Sequence, residues 1–356
     1  MINQRILRFI IGLALTILLI LHASNNFPIP FLHTLENLSY DARLKMTVSA
    51  NSGININKKV VIIYIDEKSM EKIGQWPWDR HTMANMVDNL FDYYHIDTLG
   101  FDIIFAEKDE DPTDQILVNM SKGPLKNNPY FINEFNKALP KLQRDKRLAE
   151  SLKNRKIVLG IFFDNGDNTL HKGQLPSPLP QFSDDVLKSI NLTKAQGYAA
   201  NLSILQNAAL PAGYFDNPTM DDGVFRKVPL LQEYNGRIYE SLALAVSRTA
   251  LNKEKIQLGL TLINEQTDDK ILEWIKIGKT LIPVDESASI LVPYIGKQRS
   301  FDYISAYDIA TKKAPKDLLV NKIALFGKSA AGLLDLRTTP LDAAYPGVEV
   351  HAHIVQ

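Results

Sequence analysis

Apolar residues fall along this chain in several distinct patterns, and each pattern predicts a different element. The first is an uncharged run, FIIGLALTILLIL, from Phe9 to Leu21, preceded by Arg5 and Arg8 and followed by the polar SNN. Counted from Ile6 to Ala23, with Arg8 snorkelling to the headgroups, it is long enough to span a bilayer. Its short core also fits the apolar region of a signal peptide, although Leu21 is a poor residue three places before a cut after Ala23. Basic residues before the run and few after it place the chain beyond about residue 25 outside the cytoplasm on both readings.

Helical spacing follows the proline-containing tether NNFPIPF: Leu32, Leu35 and Leu38 share one face of LHTLENLSYDARLKM. Continuous β-branched runs then alternate with helical segments. KVVIIYID (Lys59 to Asp66), DTLGFDIIFAE, KIVLGIFF and LVNKIALFGK read as strands buried on both faces, as in a parallel sheet. Between the first two, DRHTMANMVDNLFDYYH carries Met83, Met86, Val87 and Leu90 at helical spacing, which makes a strand–helix–strand unit. RDKRLAESLKNR is a helix leading into KIVLGIFF. Asn235-Gly236 marks a hairpin turn before a helix that begins near Glu240, and TLIPVDESASILVPYIG alternates like a strand. The stretch from Glu107 to Arg144 breaks the pattern with an acidic loop and polar helix, and reads as an insertion. The final YPGVEVHAHIVQ begins a helix. The fold class that follows is α/β: a mixed, mainly parallel sheet flanked by helices, with an N-terminal membrane helix.

Composition narrows the function. Lys+Arg and Asp+Glu balance at 40 each in 356 residues, so no global field exists to hold nucleic acid. Cysteine is absent, which removes disulfides, thiolate metal sites and cysteine nucleophiles. No nucleophile elbow, zinc signature or dinucleotide fingerprint occurs, so no catalytic residue, metal or cofactor is assigned.

Several clusters invite a functional reading beside a structural one. Two of the chain's three tryptophans flank Pro77 in IGQWPWDRHTM. Trp76 and Trp78 at a strand-to-helix corner can line a cleft or close the end of a core, with their N–H groups on carbonyls. Asp79 is placed to cap the next helix. Asp66 and Asp102 lie toward the carboxyl ends of strands, where open α/β sheets bind ligands, and two carboxylates there could hold a metal. The structural alternative pairs Asp102 with a buried base such as Arg80. FGKSAAG (326–332) has part of a phosphate loop but not its order, leaving anion binding by backbone N–H groups as an option. The acidic EKDEDPTD lacks the glycine and glutamate of a calcium loop. From these, Asp66, Trp78, Arg80, Lys328 and Ser329 form the candidate ligand lining.

The ordered segments YDARLKM, VVIIYIDEKSMEKIGQWPWDR, GFDIIFAE, DKRLAESLKNRKIVLG, DDGVFRKVPL, SLALAV, KIALFGKSAAGLLD, TTPLD and YPGVEVHAHI resemble the CHASE-two family from Tyr40 to the end. The resemblance implies an extracytoplasmic sensory domain of a bacterial receptor, without catalytic residues of its own. Its output would be a nucleotide cyclase or a kinase, lying with returning membrane helices beyond Gln356. The insertion has no counterpart in that pattern. Expected domains are a membrane anchor or signal peptide (1–24), a tether and juxtamembrane helix (25–47) and a periplasmic sensor (48–356) carrying an insertion at about 107–144. The expected location is the bacterial inner membrane. Expected partners are the bilayer, an unknown periplasmic ligand and a second copy of the chain, with no nucleic acid. The competing function is a membrane-anchored envelope hydrolase using Asp66 and Asp102 with a metal.

Overall fold

The computed structural model describes residues 4–24, 27, 29–51, 57–164, 166, 169–180, 182, 186–187, 190–216, 222–252, 254–264, 269–328 and 336–356. The chain divides into two compact units, Met1–Ile54 and Asn55–Gln356. The first unit holds α1 (Gln4–Ala23) and α2 (Pro30–Ala50), neither of which buries a residue. Among the described residues, α1 is the one helix long and apolar enough to cross a membrane, with a mean hydropathy of 2.4. Its one hydroxyl in the run, Thr16, donates to the Gly12 carbonyl 2.9 Å away, so no side-chain donor is left bare on an apolar surface. Pro30 opens α2 at a position where its missing N–H costs nothing.

The second unit begins with β1 (Val60–Ile65), α3 (Glu67–Ile73), α4 (Arg80–Asp88) and β2 (Thr98–Phe101). Next come α5 (Pro112–Lys122), α6 (Pro129–Leu142), α7 (Arg144–Leu152) and β3 (Ile157–Asp164). Short pieces follow: β4 (His171–Lys172), β5 (Thr193–Lys194), β6 (Gly197–Ala199), α8 (Ser203–Ala209) and β7 (Ala212–Tyr214). Then come β8 (Lys227–Pro229), β9 (Leu231–Tyr234), β10 (Arg237–Glu240) and α9 (Leu242–Ala250). The antiparallel strands β11 (Ile256–Asn264), β12 (Asp269–Ile277) and β13 (Thr280–Pro283) precede β14 (Ser289–Leu291). The chain closes with β15 (Asp302–Ser305), α10 (Ala306–Ala310), β16 (Ile323–Lys328), β17 (Leu336–Arg337), β18 (Tyr345–Pro346) and α11 (Gly347–Val355).

Among the described residues, eight strands form the central sheet in the order β15-β1-β16-β2-β3-β6-β4, with β7 also paired to β3. From β15 through β3 every pairing is parallel, and the β3–β6 pairing is antiparallel. The mixed, mainly parallel sheet predicted from the apolar runs is therefore present. Alternation within β1 explains why its run is continuous: Val61, Ile63 and Ile65 face a core completed by Met83, Met86, Leu148 and Leu152. Val60 and Ile62 face the opposite core, with Val246, Val348 and Ala352. Both faces are covered, so neither tolerates a polar residue. Two glycines permit the close cover on the second face. A Cβ on Gly100 would lie 2.6 Å from Val246, and one on Gly327 would lie 2.7 Å from Val348.

The structure departs from the sequence reading in four places. β1 and β2 are not neighbours, because β16, more than two hundred residues later, lies between them. β2 ends at Phe101, so Asp102 lies just past its strand rather than inside it. The stretch read as acidic loop and polar helix holds two helices, α5 and α6, each opened by proline and capped by Asp111 or Asn128. Residues 256–264 and 269–277 pair as long antiparallel strands where the sequence reading has none, and Gly259 leaves room for the Trp274 indole. The Asn-Gly turn is present with positive φ at both Asn235 and Gly236, and Ser241, one residue after Glu240, caps α9.

Candidate functional site

The carboxyl ends of β1 and β16 are adjacent, with Ile65 opposite Lys328, so Asp66 and Lys328 leave the sheet side by side. Asp66 caps α3: its Oδ1 accepts from the Ser69 N–H at 2.9 Å, from the Ser69 hydroxyl and from the Ser305 hydroxyl at 3.0 Å. The Ser69 hydroxyl also accepts from the Tyr307 N–H at 2.9 Å, which ties β1, α3 and α10 into one corner. Lys328 is half-buried at the last residue of β16. Ser329, and with it most of FGKSAAG, lies outside the described residues.

The tryptophan corner sits at this same edge. Trp78 is 4% exposed and donates from Nε1 to the Gly74 carbonyl at 2.7 Å. Trp76 stands edge-on to it at 5.3 Å, with its ring 6.5 Å from Phe326 on β16, and the Trp76–Pro77 bond is cis. The pair therefore closes the core under the strand ends. Arg80 is 9% exposed and held from several directions. Its Nε donates to Asp145 at 3.2 Å, its Nη2 to the Glu107 carbonyl at 2.8 Å, and its guanidinium lies over Phe105 at 4.6 Å. The buried base thus meets Asp145 on α7, not Asp102 as the sequence suggested. The reason is topological: Asp102 sits past β2, where its N–H continues the ladder to the Phe326 carbonyl at 2.8 Å. For the hydrolase alternative, Asp66 is occupied as a cap. Among the described residues no group of three or more His, Asp or Glu is placed to hold a metal.

A second polar cluster, which the sequence reading did not single out, lies at the carboxyl end of β3. Asp216 accepts from the Phe163 N–H at 2.7 Å, and burial pushes its carboxyl up to about 7 against the pull of that bond and of Arg337. Gln232 is fully buried with its amide toward Asp216, yet neither its nitrogen nor its oxygen reaches hydrogen-bond geometry. On α11, His351 is 2% exposed; burial, helped by Arg337, lowers it to about 4. Its Nδ1 has no partner among the described residues. Arg337 thus acts on both Asp216 and His351. Unpaired buried polar atoms such as those of Gln232 and His351 are costly.

The amino end of the sheet is organised differently. The Gln356 side chain accepts from the Lys59 N–H at 2.8 Å and donates to the Asn57 carbonyl at 3.2 Å. Asn57 and Lys59, which lead into β1, and the residue just past α11 are therefore clasped together. Above the clasp, α11 is buried from Gly347 to His353. Glu349 accepts from the Arg299 and Ser300 N–H groups at 2.9 and 2.7 Å and from the Tyr303 hydroxyl at 2.7 Å. Burial raises its carboxyl above the usual range. His353 Nδ1 accepts from the Ile295 N–H at 3.3 Å, which leaves Nε2 to donate to the Tyr345 hydroxyl at 2.6 Å. Tyr345 in turn donates to the Gly296 carbonyl at 3.0 Å. Burial lowers His353 to about 3, consistent with this neutral tautomer. The signal for these groups was VEVHAHIV, where three titratable residues interrupt an apolar helix.

Comparison with known proteins now has geometry to stand on. The chain matches the model of the CHASE2 domain over residues 11–356, essentially its whole length. It belongs to the CHASE2 family, whose members are extracytoplasmic sensory domains. Comparison with curated proteins and with solved structures finds no match.

Proposed function

We propose that this chain is the input domain of a bacterial transmembrane receptor. On this reading α1 anchors it in the inner membrane, residues 25–47 form the tether and juxtamembrane helix, and residues 48–356 sense a ligand in the periplasm. The segment at about 107–144 is an insertion on that sensor. The chain itself is not an enzyme; a cyclase or kinase output responds to it across the membrane. One observation carries the reading beyond family membership: Gln356 ties the end of α11 to Asn57 and Lys59, so this helix and the segment leading into β1 meet at the amino end of the sheet. A ligand that repositions α11 relative to β1 thereby has a direct mechanical outlet, which population shift requires.

The ligand belongs, in this proposal, at the opposite edge, as is general for open α/β sheets. Asp66, Lys328 and Ser329 would present charge and donors there, with Trp78 and Arg80 supporting them from beneath, and Asp216, Gln232 and Arg337 extending the edge. The test is a chimera in which membrane helices and a cyclase follow Gln356. Gln356→Ala should change basal cyclase output severalfold at unchanged protein level, and unchanged output would overturn the transmission route. An alkaline phosphatase fused after Lys59 should be active outside the cytoplasm. An inactive fusion would overturn the topology.

A further inference from the structure

The clasped edge also holds a cavity of about 420 Å³. Its walls are apolar and come from separate elements: Leu230, Leu244 on α9, Ile277 on β12, Ile282 on β13, Ile323 on β16 and Ile354 on α11. Leu230, Leu244 and Ile277 are at most 1% exposed and form its floor. The volume falls within the range of small-molecule sites, roughly 300–1,000 Å³.

One side of the cavity is polar and basic. Lys59 and Gln356 line it, with Lys58 and Lys322 beside them in the chain and across the sheet. Asp97 also lines the cavity, but Lys156 pairs with it at 3.0 Å and neutralises it. Among the described residues neither Lys58 nor Lys59 has a carboxylate within ion-pair distance, so the mouth carries surplus positive charge over an apolar interior. We propose that this cavity binds a small anionic amphiphile, a free medium-chain carboxylic acid, with its chain against Leu244, Ile277 and Ile354 and its carboxylate at Lys59. Such a ligand would touch Lys59 and Gln356, two of the three residues of the clasp. Its effect on signalling rests on the sensory reading above, whereas its binding does not.

The test uses the full chain in phosphatidylcholine nanodiscs, with empty nanodiscs as the blank, and reads equilibrium binding of radiolabelled decanoate and decanol. Saturable one-to-one decanoate binding above the blank is expected. Lys59→Gln should weaken decanoate about threefold, the size of an exposed ion pair, and leave decanol unchanged. Ser247→Phe, which fills the cavity from α9, should remove both. Absence of saturable binding, an equal effect of Lys59→Gln on acid and alcohol, or undiminished binding by folded Ser247→Phe would each overturn the proposal. A phospholipid retained in the cavity and blocking decanoate would assign it to lipid and overturn the free-acid proposal as well. Because every readout is binding, failure here leaves the cyclase-chimera result to decide the sensory reading separately.

Discussion

The α5–α6 pair and α11 are both helical, and both mix charged with apolar side chains, yet they occupy opposite extremes of the second unit. Neither α5 nor α6 has a fully buried residue, and their aromatic pair, Phe131 and Phe135, stacks at 6.1 Å while half-exposed. What fixes the pair to the body is charge: Arg144 reaches Asp109 at 3.3 Å and Asp114 at 2.9 Å, and Asp109 accepts from the Arg80 N–H at 2.7 Å. By contrast, α11 sinks its glutamate and two histidines into the core and satisfies Glu349 and His353 by name. Polarity in sequence therefore does not report exposure. A charged residue is buried where the fold supplies its partners, and a helix stays outside where its apolar face meets nothing.

The largest expected contrast is between aromatic residues of the two regions. Trp78→Ala should cost ~3–5 kcal/mol, because a fully packed ring leaves a cavity. Phe131→Ala should cost less, ~1–2 kcal/mol, since its ring is only partly buried and packs on Phe135 outside the cores. Thermal unfolding of the two variants checks the ranking, and equal losses would erase the distinction between body and appendage.

Asp216 sharpens the contrast through pH. Burial raises its folded-state pKa to about 7, so the folded form holds the proton more tightly than the unfolded chain. Its contribution to stability is fully present below the ordinary aspartate pKa and is lost as pH rises through about 7. Asp216→Asn keeps an oxygen for the Phe163 N–H and removes that loss. The variant should match the parent near pH 4 and exceed it at pH 8 by on the order of 4 kcal/mol. Each tenfold change in proton affinity amounts to about 1.4 kcal/mol, and the rise from 3.8 to about 7, which already contains the attraction to Arg337, is roughly three such steps. Parallel stability curves with pH would contradict the burial.

In α11, Glu349→Gln places an amide N–H₂ against donors that now meet a carboxylate, at a cost of ~1–2 kcal/mol read from denaturant midpoints. A neutral result would mean that Arg299, Ser300 and Tyr303 find other acceptors. Smallest is removal of the α5–α6 pair itself. Replacing residues 112–142 with a short Gly-Ser loop should preserve the cooperative transition and change stability by less than ~1 kcal/mol.

The central strands were legible because burial on both faces leaves an uninterrupted β-branched run, as in VVIIYI, and the Asp79 and Asn235-Gly236 signals are local chemistry. Strand order was not legible: nothing in the residues says that β16 slips between β1 and β2, since parallel pairing is set by packing of distant segments. The edge carrying Asp66 and Lys328 follows from reading both runs as parallel strands. For Trp78 the core-closing role was one of the two readings open from its position, but the partners of Arg80 were not legible, because only the fold shows Glu107 and Asp145 already waiting for it. Asp216 and Gln232 were invisible for the same reason, each being an ordinary polar residue until the chain closes over it, whereas His351 left a trace in VEVHAHIV.

The account stands most directly on α11 being part of the rigid core while α5–α6 is not. Hydrogen exchange on the full chain, followed amide by amide, measures that difference. Amides from Val350 to Val355 should exchange only through global unfolding, at rates matching β1 and β16, while α5 and α6 exchange through a separate, lower-energy opening. If α11 exchanges as readily as α5 and α6, the terminal helix is not held by the core and the proposed route for a signal out of the domain is wrong.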